Sequence, residues 1–171
     1  IVNGLVGSEM CIRDRLVNRK GGELMQKNLE LLGSIKYTDE EVKFAKEIQA
    51  STGKPRLGLD SSIKPLRKTL ENPGGGSTDV GDVSWNVPNI NLGVTTAPVD
   101  TPWHSWAVVA CGGMSIGHKG TIYAAKAMAM TMSDLYKSKK LVQEINEEYL
   151  ARKGDEEYVA MIDGPAPINE N

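Results

Sequence analysis

The chain has 171 residues, 40% hydrophobic and 25% charged, with a formal net charge of −2 and a pI near 5.8. That composition suits one globular domain with a sizeable core. It lacks the basic excess that phosphate contacts need, so no nucleic-acid partner is expected. No apolar run approaches the ~20 residues of a membrane span, so no membrane partner is expected either. The two cysteines, Cys11 and Cys111, form neither a disulfide framework nor a metal-ligand spacing, which fits a reducing cytoplasm.

In chain order, residues 1–15 (IVNGLVGSEMCIRDR) have neither the order of a signal peptide nor any clear period. They resemble translated adaptor read-through and are expected to lie outside the fold. The domain is expected over residues 16–155, followed by a mobile tail over 156–171. From Gly22 to Leu32, apolar Leu24, Met25, Leu29 and Leu32 recur near helical spacing, and Gly33 is placed to stop the helix. Thr38-Asp39-Glu40-Glu41 reads as a capping box opening a second helix, which turns Val42, Ala45 and Ile48 inward and ends at Gly53. Residues 54–75 lack a strong period, and their NPGGG stretch is a loop.

Residues 89–96 (NINLGVTT) alternate Ile90, Leu92 and Val94 with smaller or polar partners and read as a strand. Trp106 to Ala110 reads as a second, shorter one. Lys119 to Lys137 is helical, with Ile122, Ala125, Ala129, Met132 and Tyr136 on one stripe taken as core-facing. Ser138 can cap a last helix in which Leu141, Ile145 and Tyr149 recur every four residues before Gly154. One or two strands are too few for an independent sheet. The expected fold is therefore part of an α/β domain, mostly helical here, with apolar surface left exposed around Ile90, Leu92 and the 119–137 helix.

Three motifs offer chemistry. Gly113-Met114-Ser115-Ile116-Gly117 matches the G-x-S-x-G nucleophile elbow, which would make Ser115 a hydrolase nucleophile. The elbow's triad runs serine, acid, histidine, yet the chain's two histidines are His104 and His118, and neither follows at a useful distance. The Gly-rich run before Ser77 lacks the lysine of a phosphate-binding loop. Asp79 and Asp82, three apart, would share a helical face and with a histidine could bind zinc or manganese; the plainer reading is a capped turn.

Taken together, GGGSTDVGDVSWNVP, TPWHSW and HKGTIYAAKAMAMTMSDLY resemble the C-terminal end of the dinuclear metallo-amidohydrolases of the aminoacylase and carboxypeptidase G type. The nearest branch is that of the p-aminobenzoyl-glutamate hydrolase B subunits and N-acyl dipeptidases. The resemblance covers about residues 16 to 155. It implies the C-terminal part of an αβα-sandwich zinc-peptidase-like catalytic domain, two divalent metal ions (zinc or manganese), and cleavage of N-acyl or p-aminobenzoyl amino acids, such as a folate breakdown product, or of dipeptides. It assigns His104 as the metal ligand. Ser77, Thr78 and Asp79 line the pocket or orient ligands, and His118 is a supporting residue. It further implies a cytoplasmic enzyme acting as a homo-dimer or hetero-oligomer. The family's His-x-Asp pair, bridging aspartate and Glu-Glu general-base pair would lie upstream, so this chain alone is expected to be inactive. The rival readings are a non-catalytic helical interaction module and a serine hydrolase built on Ser115.

Overall fold

The computed structural model describes residues 15–67 and 78–159. The expectations for residues 1–14, for the NPGGG loop and for the tail beyond residue 159 lie outside them. The described residues form helices α1 (Arg19–Leu32), α2 (Asp39–Ser51), α3 (Val80–Asn86), α4 (Trp106–Gly112), α5 (Ser115–Lys137) and α6 (Lys139–Lys153).

Local chemistry sets the helix ends much as the sequence predicts. Asn18 caps α1 by accepting from the Gly21 amide at 2.8 Å, and Gly33 ends it with φ +75°. The Thr38–Glu41 capping box forms in full, each side chain accepting from the other residue's backbone N–H. Ser138 caps α6, and Gly154 closes it. At the start of α1, Glu148 from α6 accepts from the amides of Arg19 (3.0 Å) and Lys20 (2.6 Å). A carboxylate there complements the positive end of the helix dipole. These amides, together with Arg152, hold the carboxyl of Glu148 below its ordinary range despite partial burial.

Helix α1 packs against α5 and α6, while α4 packs against α5. Leu24 and Met25 of α1, Ala127 of α5, and Ile145 and Tyr149 of α6 are buried. The polar members of this core are partnered. Asn28 donates to Thr131 at 3.1 Å and to Asp134 at 3.0 Å, and the Tyr149 hydroxyl donates to the Trp85 carbonyl at 2.8 Å. A second cluster joins Ile48 of α2 to Ala107 and Cys111 of α4.

Three expectations need correction. Residues 106–110 are not a strand but the body of α4. Residues 89–96 form no ladder, and no strand occurs among the described residues. They do run from Pro88 to Thr96 without turn or bend; what the alternation lacks is a neighbouring strand to bond with. The stripe assigned to the core on α5 faces outward: Ile122 is 57% exposed, Met132 52% and Tyr136 87%, and Ala125 and Ala129 are not buried either. The buried face holds Ile116, Gly117, Gly120, Ala127 and Thr131. Gly117 and Gly120 there let neighbouring backbone come close, and Thr131 meets Asn28, a demand that counting hydrophobicity does not detect. The apolar surface expected on this helix is thus present, on its outer face.

Candidate functional site

The loop carrying His104 is braced from below. Gln49 of α2, fully buried, donates to the Val99 carbonyl at 2.9 Å and accepts from the Gly58 amide at 2.7 Å. The Val99 amide in turn donates to the Gly58 carbonyl at 3.0 Å. Thr101 closes a turn onto Pro98 through both its amide and its hydroxyl. Within this loop Asp100 (φ 58°) and His104 (φ 60°) take the left-handed conformation, the only non-glycine residues to do so among those described. That conformation costs an L-residue roughly 1–2 kcal/mol, and such outliers concentrate at functional sites. His104 is exposed, with the exposed rings of Trp103 and Trp106 on either side in sequence.

The other expected site residues are placed as follows. Thr78 and Asp79 are exposed at the start of α3. Thr78 accepts from the Val80 amide at 3.3 Å, whereas Asp79, at the capping position, makes no side-chain cap. Asp82 accepts from the Tyr158 hydroxyl at 3.1 Å. Ser77 lies outside the described residues. His118 is exposed on the first turn of α5. Among the described residues no three His, Cys, Asp or Glu side chains come together as a metal-binding group. His104, Asp79 and His118 are therefore not gathered into a metal site by the described residues alone.

Ser115 has no elbow. A nucleophile elbow needs a strand before a strained turn; here α4 ends at Gly112, and Met114 is extended (φ −108°, ψ 174°) before Ser115 opens α5. The glycine of the motif has a packing reason instead. A Cβ on Gly117 would lie 2.5 Å from the Gly112 carbonyl oxygen and 2.6 Å from its Cα, so α5 can cross the end of α4 only with glycine there. This removes the serine-hydrolase reading.

The sequence missed an ionic cluster beside Ser115. Lys119 donates to Glu41 at 2.7 Å and to the Lys36 carbonyl at 3.0 Å, and its ammonium lies 5.8 Å from the Tyr37 ring centroid. Burial pushes the Glu41 carboxyl upward, but hydrogen bonds from Lys119, Ser115 and Thr38, with the Lys119 charge, hold it at about 2. Burial, helped by the Glu41 charge, pushes the Tyr37 phenol up to about 12. Near neutral pH neither group exchanges a proton, so the cluster clamps α2 to α5 and offers no acid–base chemistry. The capping box gave Glu41 a local role; its long-range partner has no sequence signal. Cys111 is fully buried, and that burial raises its thiol, leaving it unreactive.

The chain is 33% identical over 159 aligned positions to the B subunit of p-aminobenzoyl-glutamate hydrolase from Escherichia coli (strain K12). These cover 78% of this chain but only 33% of that protein, so the chain spans about a third of its curated relative's length. No family profile and no solved structure matches the chain. The similarity bears out, at the level of family, the resemblance carried by the loop-to-helix motifs: the chain is a relative of the p-aminobenzoyl-glutamate hydrolase B subunits.

Proposed function

We propose that this chain is part of a metal-dependent amidohydrolase that cleaves the amide bond of p-aminobenzoyl-glutamate or related N-acyl amino acids and dipeptides. The observation that carries this reading is the similarity across most of the chain to one component of a hydrolase named for that substrate. A histidine held exposed at φ 60° on a braced loop supports it locally.

In this reading His104 supplies one ligand to a pair of divalent ions, zinc or manganese. A catalytic zinc takes about three protein ligands, and the described residues offer no such group; the remaining ligands and the general base come from outside them. Bound metal would polarise the amide carbonyl and activate water. Ser77, Thr78 and Asp79 shape the pocket, and His118 supports it from α5. The chain alone is inactive. The helices form one layer of an αβα sandwich, and residues 89–96 are a strand of its sheet. The whole enzyme is cytoplasmic and oligomeric; among the described residues no helix is long and apolar enough to cross a membrane.

The test is hydrolysis of p-aminobenzoyl-glutamate by the complete protein that contains this segment, before and after chelation. Activity that vanishes with chelator and returns with zinc or manganese supports the reading. Activity indifferent to chelation, or none on any N-acyl amino acid, refutes it.

A further inference from the structure

The segment that carries His104 presents its bulkiest side chains to the outside. Trp103 is 71% exposed and Trp106 56%, whereas Trp85, the third tryptophan of the chain, is half-buried on α3. Val109, one turn beyond Trp106 on α4, is 75% exposed. The other side of α4 belongs to the core, with Ala107 and Cys111 clustered with Ile48. An apolar strip thus lies on the outer side of a helix whose inner side is already engaged.

The backbone beneath this strip is held in place. Trp103 and His104 form the turn between Pro102 and Ser105, and the Ser105 hydroxyl donates back to the Pro102 carbonyl. His104 takes a left-handed position in that turn, one usually left to glycine or asparagine. Together with the Gln49 brace, this fixes the course of the chain on either side of His104. Rigid aromatic side chains on a fixed backbone lose little freedom when a flat ligand settles on them.

We propose that Trp103 and Trp106 receive the aromatic acyl group of the substrate and so select aryl over alkyl acyl groups. The inference rests on the amidohydrolase reading and sharpens its substrate class. In a p-aminobenzoyl amide the ring is bonded directly to the carbonyl carbon at which hydrolysis occurs. Whatever holds the ring therefore stands beside the groups that act on that carbonyl. Trp103 is the chain neighbour of the histidine proposed to hold metal, and Trp106 lies two residues beyond it. An indole stacked offset on an aromatic ring gains more than the area it buries, and an acetyl group offers no such face.

Because both rings are largely exposed, replacing them should leave the fold and its melting temperature unchanged. The probe is p-aminobenzoate, the acyl product, which cannot be hydrolysed; its binding to the complete protein is measured by calorimetry. The double variant Trp103→Ala, Trp106→Ala should weaken that binding at least about tenfold. Trp103→Phe with Trp106→Phe should restore it. In turnover, the alanine pair should lower kcat/KM for p-aminobenzoyl-glutamate by a similar factor and leave N-acetyl-glutamate unaffected. Equal losses on the two substrates would reduce the rings to a structural role and overturn the proposal. A parent protein that does not bind p-aminobenzoate, or an alanine pair that binds it as well as the parent, would overturn it too. Hydrolysis that survives chelation would remove the metal-dependent reading, while the p-aminobenzoate result would still decide the ring contact.

Discussion

The two faces of α5 meet opposite fates, and the bulkier apolar side chains stand mostly on the exposed one. The inner row, Ile116, Ala127 and Thr131, is buried against the neighbouring helices, and the outer row, Ile122, Met132 and Tyr136, stands in the open. Contact, not hydrophobicity, decides which row contributes to stability. A large apolar side chain stabilises only when something covers it.

That contrast can be broken most sharply with isoleucine. Ile116 is fully buried, so Ile116→Ala should lower the unfolding free energy by about 2–5 kcal/mol in urea denaturation. Ile122→Ala, the same deletion on the outer face, should stay within about 0.5 kcal/mol. Comparable losses at both positions would mean that the outer face is covered.

Gly117→Ala comes next. The added methyl has to displace the backbone of Gly112, which cannot yield as a flexible side chain can. A loss of about 1–3 kcal/mol is expected, the range for overpacking. Gly113→Ala, where the nearest atom to an added Cβ is 3.7 Å away, should be much milder.

The clamp between α2 and α5 should show in pH dependence. Glu41 titrates at about 2 in the fold against an ordinary 4.5. Its contribution is therefore complete above about pH 4.5 and is lost as pH falls from there through about 2. At the alkaline end Tyr37, raised from 10.0 to about 12, costs stability as pH climbs through that interval. Melting temperature followed across pH should lose its acid slope partly in Glu41→Gln. The smallest effect expected is that of Ser115→Ala on stability, since the serine is exposed and only assists Glu41.

What the sequence made legible was local. Gly33, the Thr38–Glu41 box, Ser138 and Gly154 all act within a turn or two of themselves, and each marks its helix end as expected. Long-range matters were hidden. Residues 106–110 read as a strand because Val108 and Val109 favour one, but Ala107 and Cys111 pack onto Ile48 at helical spacing. Apart from Ile116 the inward row of α5 is small or polar, and Thr131 in it is met by Asn28, about a hundred residues earlier in the chain. For the site, the sequence singled out His104, but not the strained backbone that carries it nor the buried Gln49 that braces its loop. Both depend on residues that meet only in the fold.

The most direct test of the proposed function is metal stoichiometry of the complete enzyme, measured for the parent protein and for His104→Ala and His118→Ala. The account predicts two divalent ions in the parent. His104→Ala should lose metal and nearly all amide hydrolysis, while His118→Ala keeps both ions and loses at most about 10–100-fold in activity, as for a supporting residue. A His104→Ala protein that retains both ions and full turnover would contradict it.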